Sequence, residues 1–130
     1  MTIIQSSSGA ACETFRDDMK NDVNWTSGNY GIADILIRFT GKNMGGTGCT
    51  NTIPSSGGTH PYIMITNYSS DMARTVMHEV SHTYGLQHNT SSCSTQIPGI
   101  MASACPGSIY IKNWTPSEDT TMGSNRNWYY

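Results

Sequence analysis

The chain has 130 residues, a formal net charge of −2 and only 12% charged residues, so it lacks the basic surface on which nucleic-acid binding depends. No apolar run approaches the roughly 20 residues of a membrane helix, and we expect neither nucleic acid nor membrane as a partner. The length is typical of one domain, so residues 1–130 are predicted to form a single domain, which we expect to be monomeric.

The first quarter of the chain predicts a short strand followed by a helix. Thr2–Gln5 favours the strand, and Gly9–Asn24 favours a helix with Ser8 as its N-cap. Positions four residues apart predict one buried helix face, formed by Ala11, Phe15, Met19 and Val23. The start, MTIIQSSS, lacks the charged and apolar segments of a signal peptide, and we interpret it as a mature or trimmed form.

Two predicted strands flank a segment rich in glycine and serine. Ala33–Phe39 alternates as a half-buried strand does, with one face formed by Ile35, Ile37 and Phe39. Residues 41–58 favour loop, with at most a short, irregular strand around Thr47–Ile53. Tyr62–Thr66 is the second clear strand.

The segment that follows predicts an amphipathic helix. Ser70 or Asp71 can cap its start, and Gly85 can end it because glycine tolerates the left-handed backbone of a C-terminal cap. We expect one side of the helix to be buried in the core, through the apolar stripe Met72, Ala73, Val76, Met77, Val80 and Tyr84.

Residues 78–88, HEVSHTYGLQH, place three of the four histidines at the spacing HExxHxxGxxH. His78 and His82 are one helical turn apart and project side by side, and the turn at Gly85 lets His88 swing back towards them. Three neutral imidazoles can hold Zn²⁺ and leave its fourth position open for water. The motif therefore predicts one catalytic zinc ion. Unrelated histidines on an ordinary amphipathic helix are the alternative.

Glu79 follows the first of these histidines and points about 100° around the helix from it. It can therefore reach a zinc-bound water without becoming a ligand. Zinc lowers the pKa of bound water to near 7, and Glu79 is predicted to accept its proton and pass it to a leaving amine.

This motif resembles the zinc signature of the metzincin clan of metallopeptidases. The resemblance implies an α+β zincin fold, with a small twisted mixed sheet, an active-site helix, a C-terminal helix and a loop-rich lower lobe. It also implies a Met-turn beneath the histidines, for which Met101 in GIMAS, residues 99–103, is the candidate. A plain core methionine is the alternative.

Within the clan the chain is most similar to matrixins, through ADILIRF at 33–39 and the tail SEDTTMGSNRNWYY. The compact segment CSTQIPGIMASAC also resembles snapalysins. The matrixin likeness implies that Glu118 or Asp119 braces the Met-turn and that Ala102–Pro106 walls a side-chain pocket. The tail also predicts a helix with a capping box, in which Thr115 is the N-cap, Pro116 comes first in the helix and Glu118 follows.

The four cysteines allow three pairings, and their even number favours disulfides and an oxidising compartment. We favour Cys93–Cys105, which would staple the loop that carries Met101, and Cys12–Cys49 follows by elimination. Alternatively, Cys12 is a zinc-blocking thiol of the kind found in matrixin pro-segments, although the surrounding PRCGxPD context is missing.

The sequence thus predicts a secreted zinc endopeptidase that acts on protein or peptide substrates. The segment Met44–Ile53 is a candidate sheet edge for an extended substrate, although a surface loop explains its glycines equally well. No individual substrate-binding residue is predicted. Two alternatives stay open: a catalytically inactive zinc-binding module derived from a metzincin, and a hydrolase of something other than peptides.

Overall fold

The computed structural model describes residues 12–26, 29–30, 34–57, 60–66, 71–88, 99–102 and 113–129. Within them, three helices and three strands follow one another in the order α1 (Cys12–Asp22), β1 (Leu36–Thr40), β2 (Gly48–Thr50), β3 (Tyr62–Thr66), α2 (Met72–Thr83) and α3 (Pro116–Asn125). A 3₁₀ turn, Arg126–Tyr129, follows α3. The predicted α+β class is confirmed. The expected strand Thr2–Gln5, the cap at Ser8 and the Cys93–Cys105 pairing lie outside the described residues.

The strands form a mixed sheet in the order β1-β3-β2. β1 runs parallel to β3, with Leu36 opposite Tyr62, and β2 runs antiparallel to it, with Cys49 opposite Met64. β3 is therefore the central strand, and its isoleucines at 63 and 65 are 0% exposed. Tyr62–Thr66 coincides with the predicted strand, and β2 is the short strand expected within residues 47–53.

Helix α1 covers one face of this sheet. A cluster of side chains fills the space between them, formed by Cys12, Met19, Met44 and Met64 with Phe15, Leu36, Cys49 and Tyr62 packed against it. The predicted Cys12–Cys49 disulfide is present within this cluster, with a Cα–Cα distance of 6.1 Å. This bond ties the start of α1 to the middle of β2.

Two apolar side chains that were expected to be buried are exposed. Val23 is 50% exposed because α1 ends at Asp22, and Asn24 has a positive φ of 50° that turns the chain away. Phe39 is 53% exposed because α2 packs against β2 and β3, so the same face of β1 remains uncovered. Leu36, predicted on the other face, packs against the α1 cluster instead.

Helix α2 lies against the opposite face of the sheet and begins at its predicted cap. The Asp71 side chain accepts a hydrogen bond of 3.0 Å from Arg74 N, and the chain leaves the helix at Gly85, whose φ is +87°. The expectation of a buried apolar stripe is wrong for Met72, which is 38% exposed, and for Ala73, which is also exposed. The other four residues of the stripe are half-buried. The buried residues are instead polar, namely Thr75, His78, Glu79, Ser81, His82 and Thr83. The hydroxyls tolerate burial because Thr75, Ser81 and Thr83 each donate to a backbone carbonyl.

Helix α3 starts with the predicted capping box, in which Thr115 Oγ1 accepts from Glu118 N and the Glu118 carboxylate accepts from Thr115 N. Hydrogen bonds from the end of α3 and from the 3₁₀ turn after it hold α3 against the end of α2. Asn125 Nδ2 donates to Tyr84 O at 2.8 Å, and Tyr129 OH donates to Thr83 O at 2.6 Å. None of the helices in the described part of the chain is both long enough and apolar enough to cross a membrane.

Candidate metal centre

The three histidines of the HExxHxxGxxH motif meet at one point. His78 and His82 project from adjacent turns of α2, and the turn at Gly85 brings His88 back against them. His88 Nε2 lies 3.0 Å from His78 Nε2 and 3.1 Å from His82 Nε2. His78 and His82 are buried, whereas His88 is exposed, so the cluster opens to solvent on the His88 side.

Backbone carbonyls fix the orientation of the two helix histidines. His78 Nδ1 lies 2.9 Å from Ile100 O, and His82 Nδ1 lies 2.7 Å from Leu86 O. A carbonyl oxygen can only accept, so each Nδ1 carries the hydrogen. The Nε2 atoms of His78 and His82 then present lone pairs to the cluster, which is the tautomer that a metal ligand requires.

This arrangement of nitrogens fits a divalent cation such as zinc. His88 Nε2 carries at most one hydrogen in its neutral form, so it cannot satisfy both facing lone pairs at once. Tetrahedral zinc, with Zn–N distances of about 2.0–2.1 Å, separates its ligand nitrogens by about 3.3 Å, close to the distances seen here. The His78, His82 and His88 cluster could therefore hold one metal ion.

The electrostatics of the cluster keep the rings neutral. Burial lowers the pKa of His78 to about 4, partly offset by its hydrogen bond to Ile100 O. Burial also lowers the pKa of His82 and of His88. Neutral imidazole is the ligating form, so protonation would not compete with a metal ion near pH 7.

Glu79 lies beside the histidines and is only 6% exposed. Thr50 Oγ1, on β2, donates to Glu79 Oε2 at 2.7 Å, and the carboxylate packs close to Gly48, where an added Cβ would lie 3.0 Å from Glu79 Cγ. Burial raises the pKa of Glu79, and the Thr50 hydrogen bond partly opposes that rise. The sheet edge thus positions a carboxylate that belongs to the helix.

Met101 lies in a tight turn next to the metal centre. Ala102 N donates to Gly99 O at 3.0 Å, which closes a turn with Ile100 and Met101 at its centre. Met101 is 0% exposed and belongs to a second apolar cluster, formed by Leu86, Ile100 and Met101 with Met77, Trp114 and Met122 packed against it. The turn touches the histidines through Ile100 O. Of the expected pocket wall at 102–106, only Ala102 is among the described residues.

Of the two acids expected to brace this turn, the structure brings only Glu118 to it. Glu118 is 5% exposed and lies so close to Gly99 that an added Cβ there would overlap its carboxylate. Its Oε2 atom accepts a hydrogen bond of 2.7 Å from Thr115 N. Asp119 is exposed.

Sequence reasoning missed two residues that hold the site. Thr50 contacts Glu79 across 29 positions of sequence, and no local signal could have revealed that contact. Arg74 Nη2 donates to Ile100 O, the carbonyl that also receives His78 Nδ1–H. Arg74 stands four residues before His78, so helical spacing could have pointed to it.

A clan signature, a sheet with the histidine-bearing helix packed against one face and a three-histidine cluster together define a zincin of the metzincin clan. Residues 2–89, more than half of the chain, match the family described as metallo-peptidase family M12B reprolysin-like. The chain therefore belongs to the reprolysin-like M12B metallopeptidases, a peptidase family whose members use zinc and act on proteins or peptides. No curated protein matches the chain. The metzincin prediction is confirmed, whereas the finer likeness to matrixins and snapalysins stays a prediction.

Proposed function

We propose that this chain is an active zinc-dependent endopeptidase, with His78, His82 and His88 as the ligands of one zinc ion and Glu79 as the general base. The observation that carries the proposal is the convergence of three Nε2 atoms, with distances of 3.0 and 3.1 Å to His88 Nε2. The family match supports the same chemistry, since it ends at residue 89 and so includes the whole motif.

The proposed mechanism divides the chemistry between the ion and the chain. When bound, zinc polarises the scissile carbonyl and lowers the pKa of water at the site. Glu79 accepts the proton of the attacking water and later donates it to the leaving amine. A buried carboxylate with a raised pKa is well suited to both steps, because it exchanges a proton more readily near neutral pH. Thr50 holds that carboxylate in place through one hydrogen bond.

We infer that an extended substrate lies along β2. Thr47 O accepts a hydrogen bond from Thr66 N, and Asn51 N donates to Tyr62 O, both on β3. In an antiparallel ladder, alternate residues point their main-chain groups towards and away from the partner strand. The main-chain groups of Gly48 and Thr50 therefore face away from β3. An extended peptide can pair with such groups as an added strand. Arg16 Nη1 already donates to Thr50 O at 3.1 Å and defines one end of this edge.

We further propose that the whole chain is one catalytic domain of a secreted, monomeric enzyme. The Cys12–Cys49 disulfide supports an oxidising compartment. Contacts from Trp114, Asn125 and Tyr129 to α2 support a single domain, because they join the last helix to the metal-centre helix. The buried Met101 would serve as the Met-turn residue.

The test measures both the zinc content of the purified chain and its cleavage of protein substrates. The purified, oxidised chain should contain one zinc per molecule and cleave an unstructured protein such as casein, and a chelator should abolish cleavage. Glu79→Ala should keep the zinc yet lower the cleavage rate at least about 100-fold, the usual contribution of a general base. Zinc retained by the parent chain without cleavage over a broad panel of proteins would instead favour an inactive binding module.

A further inference from the structure

Arg74 links the metal-centre helix to the turn that carries Met101. It stands one helical turn before His78 on α2, so both side chains project from the same face. Arg74 Nη2 donates to Ile100 O at 3.1 Å and to Ala102 O at 3.3 Å. The guanidinium therefore holds the turn on both sides of Met101.

The Ile100 carbonyl is shared between Arg74 and His78. His78 Nδ1 lies 2.9 Å from Ile100 O, and the Arg74 contact is to the same atom. A carbonyl oxygen has two lone pairs and can accept both hydrogen bonds. Among the described residues, the His78 ring has only two such contacts, Nδ1 with Ile100 O and Nε2 with His88. A movement of the Ile100 carbonyl would therefore change the orientation of the ring.

Arg74 is half-buried, and the desolvation of its guanidinium makes a role in packing alone a poor explanation. Its Nε atom is buried and has no hydrogen-bond partner among the described residues. Burial also lowers the pKa of Arg74, although the nearby Asp71 carboxylate opposes the change. An apolar side chain of similar length would fill the same space without this desolvation penalty. Hydrogen bonds from a charged donor are, in return, among the stronger and more directional ones.

We infer that Arg74 is a positioning residue of the metal centre: it fixes the carbonyls of Ile100 and Ala102 and thereby orients His78 for metal binding. The inference rests on the proposed function in one respect, that the cluster binds zinc. It assigns to Arg74 no contact with substrate or with the ion itself.

The test measures Zn²⁺ affinity of the folded, metal-free protein by competition with a chromophoric chelator. Arg74→Met should weaken Zn²⁺ binding by about 10- to 100-fold, the usual effect of losing a group that orients a ligand. Arg74→Lys, which keeps the charge and can reach one carbonyl, should recover part of that loss. The matched control is Arg38→Met, because the Arg38 side chain is 50% exposed and pairs only with Asp22 at 3.3 Å among the described ion pairs. It should leave the affinity within twofold of the parent.

A second control separates positioning from general loss of stability. Tyr129→Phe removes the hydrogen bond to Thr83 O and leaves the Arg74 bonds to Ile100 O and Ala102 O in place, so it should lower the unfolding midpoint without changing Zn²⁺ affinity. If Arg74→Met does not fold, Arg74→Gln decides, and a loss of at least about fivefold is expected.

An Arg74→Met or Arg74→Gln protein that binds Zn²⁺ as tightly as the parent would overturn the inference and leave the proposed function intact. A weakening as large in Tyr129→Phe as in Arg74→Met would overturn it too, because both would then report stability alone. A parent chain that binds no Zn²⁺ would refute the proposed function, and this inference with it.

Discussion

Thr50 offers a direct test of how Glu79, the proposed general base, is held in place. Its hydroxyl donates to Glu79 Oε2 at 2.7 Å, and it lies 3.1 Å from Glu79 O, so its one hydrogen can serve only one of these acceptors at a time. Hydrogen bonds to charged groups contribute about 1.5–3 kcal/mol. If this bond positions the carboxylate for proton transfer, Thr50→Val should lower kcat by about 10- to 100-fold and leave KM and zinc content nearly unchanged.

Thr50→Ser is the matched control, since it keeps the hydroxyl and loses only a methyl group. It should recover most of the kcat. Equal kcat values for Thr50→Val and the parent would show that Glu79 keeps its position without this bond. A rise in KM alone would place Thr50 in substrate binding instead.

The buried histidines predict how the stability of the metal-free protein depends on pH. His78 has an ordinary pKa of 6.5 when unfolded and about 4 when folded, because burial disfavours its charged form. A lowered folded pKa contributes stability that is fully present above pH 6.5 and is lost as the pH falls through the folded value. The free energy of unfolding of the chelator-treated chain should therefore decrease between pH 6.5 and about 4, with His78 accounting for about 3 kcal/mol.

Glu79 acts in the opposite direction over part of this range, because burial raises its pKa. The His78 contribution is therefore isolated by comparing the parent with His78→Gln, both without metal, by chemical denaturation at several pH values. The variant should lose less stability on acidification. Parallel pH curves for the two proteins would show instead that the pKa of His78 is the same in the folded and the unfolded chain.

At the level of elements, two glycines should respond to alanine with opposite signs. An added Cβ at Gly99 would overlap the Glu118 carboxylate and lie 2.7 Å from Thr115 Cγ2. Gly99→Ala should therefore destabilise the protein by about 1–3 kcal/mol, the usual range for overpacking. Gly123 lies in α3 with nothing within 4 Å of an added Cβ, so Gly123→Ala should stabilise it by about 0.5–1 kcal/mol. Unfolding midpoints measure both changes. A Gly99→Ala protein as stable as the parent would contradict the packing of Glu118 against Gly99, and a destabilised Gly123→Ala protein would contradict the open space at Gly123.

The elements with strong local signals could be predicted from the sequence. The zinc helix, Tyr62–Thr66 and the capping box at Thr115 follow from short-range features: a turn glycine, β-branched alternation and a box of three residues. The burial of individual side chains could not be predicted from the sequence, because it depends on which element covers each face of a strand or helix. Phe39 is exposed because α2 packs against β2 and β3 rather than β1. The buried face of α2 is polar because His78, Glu79 and His82 occupy it together with hydroxyls that bond to backbone carbonyls.

At the scale of the whole molecule, the Cys12–Cys49 disulfide joins two elements separated by 37 positions. Closing a loop of this length reduces the entropy of the unfolded chain and should stabilise the fold by about 4 kcal/mol in the chain-entropy model. The double variant Cys12→Ala and Cys49→Ala should therefore unfold at markedly lower denaturant concentration. Because the bond also anchors β2, kcat measured well below the unfolding transition should fall as well. A stability loss with unchanged kcat would show that β2 keeps its place without the bond.

Only part of the metal centre could be predicted from the sequence, because some of its contacts join residues far apart in the chain. The three histidines and Glu79 form a contiguous motif, so their convergence could be expected from helical spacing. Thr50 could not be found in the same way, since it reaches Glu79 through the packing of β2. Helical spacing places Arg74 on the His78 face, but its carbonyl partners belong to the turn at 99–102 and come close only in the folded chain.

The acceptors that orient His78 and His82 are both main-chain oxygens, those of Ile100 and Leu86. Every amino acid supplies such an oxygen, so the identities at 86 and 100 can drift among apolar residues during evolution while the ring orientation persists. Descendants of this protein could thus diverge widely around the motif and still assemble the same coordination geometry. Backbone placement, rather than residue identity, would then be the trait under selection at these two positions.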